Sequence, residues 1–193
     1  LKYLGFKFVL SNQIKHSSKI VVPSLTVKIQ LGSIFGKQIS NKTVVINEGI
    51  DQDLIKAKEN KSLQSRFKKN FFLYVGNFYP HKNIERLINA FVKVNHNIDL
   101  VLVGPDDFFA KKIRCLVKEI NPGRKIIFYH NPNPSDLVFF YKNALALIHP
   151  SLSEGFGLPL IEAAYFGCQI IASNIATFKE LLGDNYLAFD PYN

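Results

Sequence analysis

The sequence predicts an α/β domain built on a doubly wound parallel sheet, and three observations carry that prediction. From Phe71 onward, short apolar runs alternate with segments of helical periodicity. The runs are apolar at nearly every position, which signals burial on both faces and hence a parallel sheet covered by helices. Glycine and proline fall between run and helix, at Gly76, at Gly104-Pro105 and at Gly155 to Pro159.

The elements follow in order. Residues 71–75 form a strand, and Ile84, Leu87, Ile88 and Phe91 recur at the spacing of one helix face. Residues 99–103 form a second strand. Ile113, Leu116, Val117 and Ile120 again repeat at helical spacing, and Asn121-Pro122-Gly123 stops that helix. Residues 125–129 form the third strand, 135–143 a short helix and 144–149 the fourth strand. Residues 159–166 form a helix, 169–172 the fifth strand, 177–182 one or two helical turns and 187–189 a last strand. Ligands of such sheets bind outside the carboxyl ends of the strands. The informative loops are therefore 76–82, 104–107, 130–135, 149–159 and 173–177.

The first third reads differently. Residues 19–22 and 43–46 are short strands, with a helix over 24–35 capped by Ser24. The lysine-rich stretch 47–70 reads as a linker. The expected organisation is a partial domain over 1–46, the linker, and the α/β domain over 71–193. The chain starts mid-pattern with Leu-Lys-Tyr-Leu and no initiator Met, so a piece of a longer protein is expected, with 1–46 poorly ordered for want of partner strands.

Composition excludes several classes. With 47% apolar residues in 193, the chain can bury a core and is not of disordered type. No apolar run approaches the length of a membrane span, and no signal peptide opens the chain. Cys115 and Cys168 lack partners at metal spacing and read as two buried, reduced thiols of a cytoplasmic protein. The net charge of +9 belongs to residues 1–70, which hold 13 basic and 4 acidic side chains; 71–193 hold 11 of each. The densest run is Lys56, Lys58, Lys61, Arg66, Lys68 and Lys69. It is a solvated face, or a surface that meets anionic lipid at the inner membrane face. Nucleic acid is not expected, because aromatic residues do not interleave with these charges.

Two loops could carry chemistry. In Ser153-Glu154-Gly155-Phe156-Gly157-Leu158-Pro159 the glycines let backbone N–H groups approach a ligand, and Pro159 suits a helix start. A helix N-terminus there stabilises phosphate. Glu154 and, one turn into the helix, Glu162 could accept hydrogen bonds from hydroxyls of a sugar and a ribose. The plainer reading is a glycine turn with one solvated glutamate and one on a helix face, and the residue types alone do not choose between the two readings. In Gly76-Asn77-Phe78-Tyr79-Pro80-His81-Lys82-Asn83, Lys82 lies near a helix start, where it can meet a phosphate, although on this loop alone a solvated lysine in a turn is the better reading. His149 reads as a satisfied polar residue at a strand end. Ser173 and Thr177 could touch a ligand, but they read better as helix caps. Asp106-Asp107 reads as the cap of the next helix rather than as a metal motif, so no metal is expected.

Glu154, seven residues, then Glu162, within Pro-Ser-Leu-Ser-Glu-Gly-Phe-Gly-Leu-Pro-Leu-Ile-Glu-Ala, resembles the donor-site signature of retaining glycosyltransferases of family 4, which have the GT-B fold. Tyr-Val-Gly-Asn-Phe-Tyr-Pro-His-Lys-Asn resembles that family's first strand, loop and helix start. Gly183-Asp184 and Phe189-Asp190-Pro191 resemble its closing segment, and residues 45–51 its interdomain crossover. The resemblance covers roughly 17–193 and rests on several motifs in the right order.

It implies the nucleotide-sugar-binding C-terminal domain of a GT-B enzyme with a remnant of the acceptor-side N-terminal domain. It further implies that Glu162 takes ribose hydroxyls and Glu154 lies near the donor sugar. The backbone of Gly155, Phe156, Gly157 and Leu158, with Gly76 and Asn77, would approach the sugar and diphosphate. Lys82 would neutralise the leaving diphosphate, and Gly104 and Asn131 would border the base. The implied donor is a nucleoside diphosphate sugar, with guanosine diphosphate mannose favoured, and the acceptor a saccharide or lipid-linked saccharide. Many members carry Arg where this chain has Asn77, which puts more of the leaving-group stabilisation on Lys82. Two alternatives stay open: a nucleotide-sugar-binding module without transfer, and an epimerase of the same fold, against which the glutamate spacing argues.

Overall fold

A computed structural model describes residues 2–94, 97–120 and 126–193. The chain divides into two compact units, residues 1–48 and 49–193.

The first unit holds α1 (Lys2–His16), β1 (Ile20–Val22), α2 (Leu25–Phe35), a 3₁₀ segment (Lys37–Lys42) and β2 (Thr43–Val45). The two strands pair in parallel, Ile20 with Thr43 through Val22 with Val45. Ser24 caps α2 as expected, its hydroxyl accepting from the Val27 N–H. Both strands and both helices of this unit are formed. Lys42 Nζ donates to the carbonyls of Ile14 and Ser17, closing the end of α1 where orphan carbonyls favour a cation. α1 itself was not legible in the sequence.

The second unit is a three-layer α/β/α sandwich. Its strands are β3 (Phe71–Val75), β4 (Asp99–Gly104), β5 (Ile126–His130), β6 (Ala146–His149), β7 (Ile170–Ser173) and β8 (Leu187–Phe189). They are all parallel, in the order β5-β4-β3-β6-β7-β8. Each expected strand of this domain is present within two residues of its expected ends; Lys125 and the Asn121-Pro122-Gly123 stop lie outside the described residues.

Alternation along β3 explains the two-sided burial. Phe71, Leu73 and Val75 enter one core with Phe139, Phe140, Leu160 and Phe178. Tyr74 enters the other with Ile84, Ile88, Phe91 and Ala110. Right-handed crossovers put α4 (Ile84–Phe91) and α5 (Phe108–Ile120) on the second face. The strand order reverses after β5, so α6 (Pro134–Asn143), α7 (Leu158–Tyr165) and α8 (Ala176–Leu182) cover the first.

The stretch read as a linker is largely built into this unit from Gly49 onward. It forms α3 (Gln52–Lys56) and a 3₁₀ turn (Lys61–Ser65) that bury Leu54 and Leu63. Asn60 bonds through its backbone to the Ser135 carbonyl at 3.1 Å and through its side chain to Asp136 at 2.7 Å. Lysines at solvent-facing positions hid the buried residues among them. A second correction concerns the thiols: Cys168 is buried, but Cys115 lies on the exposed face of α5.

Candidate functional site

The reversal of strand order sets β3 beside β6, so the loops leaving their carboxyl ends are neighbours. Crevices at such a reversal are where doubly wound sheets bind ligands.

The loop after β3 turns at Gly76, whose φ is +148°. It passes so close to β4 that a Cβ on Gly104 would lie 2.1 Å from the Gly76 carbonyl oxygen. That approach accounts for a buried glycine at 104. The Gly104 carbonyl in turn accepts from the N–H of Asn131, a left-handed residue with φ +51°. The Asn77 carbonyl accepts a 2.5 Å bond from the Tyr74 hydroxyl, and its side chain accepts from the Tyr79 N–H at 3.4 Å. A 3₁₀ turn (Pro80–Lys82) then delivers Lys82, and Asn83, left-handed at φ +60°, starts α4. The Asn83 side chain donates to the carbonyls of Pro150 and Pro191. The Leu152 N–H donates to the His81 carbonyl, so the two loops are stitched together.

The loop after β6 carries Ser151 and Glu154. The Glu154 backbone carbonyl accepts from the Thr177 hydroxyl at 2.8 Å. Its Oε1 accepts from three donors: Lys82 Nζ at 2.5 Å, Ser151 Oγ at 2.7 Å and His149 Nε2 at 3.2 Å. Burial pushes this carboxyl up, but the bonds from His149, Lys82 and Ser151 outweigh it and hold the group down to about 2. The glutamate is an ion at every physiological pH.

His149 is fully buried. Burial holds its pKa below the ordinary value against the pull of Glu154, so the ring is neutral. It is not the satisfied strand-end residue expected: Nδ1 is buried and has no partner, a cost of about 1–3 kcal/mol for such a group. Ser173 and Thr177 do not cap α8 either, whose N-cap is Ile175. Ser173 Oγ lies 3.5 Å from the His149 carbonyl, and Thr177 holds Glu154.

α7 begins at Gly157, φ +122°, where a Cβ would crowd Phe178 and Leu160 at 3.2 and 3.3 Å. Pro159 sits in its first turn as expected. Phe156 turns its side chain into the protein, and Gly155 and Leu158 are exposed. One turn on, Glu162 accepts from the Tyr141 hydroxyl through Oε2 at 2.6 Å. Burial raises its pKa, opposed by that bond and helped by the charge of Asp51. Burial pushes both carboxyls up; three donors turn the shift of Glu154 downward, and the single donor on Glu162 does not. Asp107 caps α5 as expected, accepting from the Ala110 N–H. Asp106 instead binds Arg114, which also donates to His130 Nε2 at 2.6 Å. Among the described residues no group of three or more His, Cys, Asp or Glu side chains is placed to hold a metal ion.

The structure therefore brings Lys82 and Glu154 into contact, and joins Gly76, Gly104 and Asn131 through the backbone. Glu162 has its own partner, Tyr141. Sequence reasoning missed the parts played by His149, Ser151, Thr177, Tyr141 and Asn83. Only the His-Pro-Ser run immediately before the loop hinted at the first two.

Residues 55–193 match the sequence profile of the glycosyl transferases group 1 family, which is most of the chain. The chain belongs to that family. It is 30% identical over 186 residues to the O-antigen chain mannosyltransferase RfbU of Salmonella typhimurium, covering 96% of this chain and 50% of that protein. It is 27% identical over 175 residues to the serotype-specific mannosyltransferase WbdA of Escherichia coli, covering 86% of this chain and 21% of that one. Among solved structures, sucrose-phosphate synthase from Thermosynechococcus elongatus superposes with a TM-score of 0.81 at 25% identity, covering 97% of this chain and 49% of that one. HepE from Anabaena, solved with UDP and glucose, shares the fold with a TM-score of 0.80 at 20% identity, covering 96% of this chain and 53% of that one. The chain thus spans about half the length of its first curated relative and of these structures. No described helix is long and apolar enough to cross a membrane.

Proposed function

We propose that this chain is the donor-binding half of a retaining glycosyltransferase of family 4 that moves a hexose from a nucleoside diphosphate sugar to a saccharide or lipid-linked acceptor. The observation that carries the reading is the meeting of Lys82 and Glu154 at the reversal of strand order, with Glu162 one turn into the following helix.

A diphosphate in that crevice meets the Lys82 ammonium and the N–H groups that open α7 at Gly157. Fixed positive charge aimed at the departing diphosphate lowers the barrier to transfer. Glu154, held ionised, accepts hydrogen bonds from the donor sugar. Glu162, half-buried and bonded on one oxygen only to Tyr141, takes the ribose hydroxyls with the other. Gly76, Asn77 and the backbone of 155–158 line the sugar and diphosphate, and Gly104 and Asn131 border the base. The two mannosyltransferases reported above support mannose as the transferred sugar, and guanosine diphosphate mannose is the donor proposed with it. Transfer itself is expected to need the half that the longer relatives have in addition, and no metal is expected to take part. The lysines of 56–69 favour a peripheral position on anionic lipid at the cytoplasmic membrane face.

A second reading, a binding module without transfer, is favoured by Asn77, which adds no charge where Lys82 is already paired to Glu154. Calorimetric titration tests both. Guanosine, uridine and adenosine diphosphates and their sugar conjugates are titrated into the chain and into Glu162→Ala. Selective binding of one nucleotide, lost in the variant, supports the donor site; a folded chain that binds none of them refutes it. Transfer from the bound donor by the full-length protein then separates enzyme from module.

A further inference from the structure

His149 closes the carboxyl end of β6 as a wholly buried imidazole where an apolar side chain would complete the core. One ring nitrogen has no partner. Buried polar groups left unsatisfied at a functional edge call for a role that outweighs their cost.

The ring is clamped. It stacks on Tyr74 at 5.6 Å and 14°, and Phe178 presses its edge against it at 5.5 Å. Tyr74 is tied through its hydroxyl to the Asn77 carbonyl, so the stack runs from the 76–83 loop to the 149–157 loop. Held this way, the ring can turn only one nitrogen to the carboxylate, and Nε2 lies 3.2 Å from Glu154 Oε1. Glu154 is ionised and accepts only, so the neutral ring must carry its proton on Nε2. Lys82 and Ser151 donate to the same oxygen. Three donors converge on Oε1 and restrict the carboxylate's rotation.

We infer that His149 is a positioning residue: its Nε2–H, clamped by Tyr74 and Phe178, locks Glu154 so that Oε2 is presented to the hydroxyls of the donor sugar. Lys82 cannot do this alone, because the same ammonium is the group a diphosphate draws on. When the ligand engages Lys82, His149 and Ser151 still hold Oε1. The presentation to sugar rests on the function proposed above; the locking of Glu154 does not.

The first test needs no variant. Long-range ¹H–¹⁵N NMR of the full chain reports the tautomer of His149, and a neutral Nε2–H ring is expected. A neutral Nδ1–H ring, which has no Nε2 proton to donate, overturns the inference. The second test titrates the Glu154 carboxyl by ¹³C NMR in wild type, His149→Phe and His149→Gln. Phe keeps the aromatic stack without the donor, and Gln places an N–H near the position of Nε2. The Phe variant should titrate at least one pH unit above wild type, a tenfold gain in proton affinity, and Gln should restore most of the difference. Indistinguishable titration in a folded Phe variant overturns the inference.

In calorimetry the Phe variant should bind the sugar nucleotide at least fivefold more weakly than wild type and the bare nucleoside diphosphate equally well, with Gln again restoring the difference. Equal loss for both ligands removes the sugar-presenting role. A wild-type chain that binds no nucleotide defeats the proposed function, while the two NMR tests still decide the locking of Glu154.

Discussion

Lys82 and Glu154 are 72 residues apart in the chain and 2.5 Å apart in space, each side chain nearly enclosed at 12% and 11% exposure. Two loops on adjacent parallel strands meet there, and the pair joins them. Breaking one partner of such an enclosed pair leaves the other charged and poorly solvated. Lys82→Met keeps the apolar stem and removes the charge. It is expected to weaken nucleoside diphosphate binding at least tenfold, about 1.4 kcal/mol, and to raise the Glu154 pKa. Calorimetry and carboxyl NMR check the two effects, and unchanged affinity would remove Lys82 from the diphosphate site.

Acid should loosen the second unit through the same glutamate. Its folded pKa of about 2 lies below the ordinary 4.5. The stability it contributes is therefore complete above about pH 4.5 and is lost as pH falls towards 2, on the order of 3 kcal/mol over the window. Glu154→Gln should flatten this part of the stability–pH curve. Denaturant melts at steps between pH 2.5 and 6 read the slope, and an equal slope in the variant contradicts the assignment.

Glu162 should act with the opposite sign. Burial raises its folded pKa, so its contribution is present at low pH and declines as pH rises through the folded value. Tyr141 restrains that rise by donating to Oε2. Tyr141→Phe should cost about 1.5–3 kcal/mol at neutral pH, the usual range for a hydrogen bond to a charged group. It should also move the Glu162 titration further up. Nucleotide affinity should fall less than in Glu162→Ala, because the carboxylate remains. A Phe variant as stable as wild type at pH 7 would show that the bond contributes nothing net.

Much of the second unit was legible because burial on both faces leaves an apolar record in the strands themselves. Val101, Leu102 and Val103 need no context to be read as a central parallel strand, and all three are fully buried. Gly157 and Pro159 marked the start of α7 by local stereochemistry alone. What could not be read was adjacency. Nothing in the sequence says that β6 returns to the side of β3, and the Lys82–Glu154 contact depends on that return. His149 and Thr177 were misread for the same reason, since their hydrogen-bond partners lie on another loop or at the far end of their own. Residues 52–65 failed differently: lysines on the solvent side masked Leu54 and Leu63, whose burial depends on tertiary contacts of the second unit.

Gly104 offers the sharpest test of how the crevice is built. Its φ is not in the left-handed region, so alanine costs nothing in backbone conformation there. The obstacle is space: a Cβ would stand 2.1 Å from the Gly76 carbonyl oxygen and 2.9 Å from the Phe78 ring. Backbone cannot give way as a flexible side chain can, so the 76–83 loop must move off β4, taking Lys82 with it. Overpacking of this kind usually costs about 1–3 kcal/mol and sometimes more, and the upper end is expected for Gly104→Ala. Gly167→Ala is the informative contrast. Gly167 is left-handed at φ +74° with open space around the added methyl, so its cost is conformational and of order 1 kcal/mol. Thermal melts rank the two variants by stability. Nucleotide titration of the folded fraction should then show the Gly104 variant weakened and the Gly167 variant equal to wild type. If Gly104→Ala melts and binds like wild type, the close passage of loop over strand is not what holds Lys82 in place.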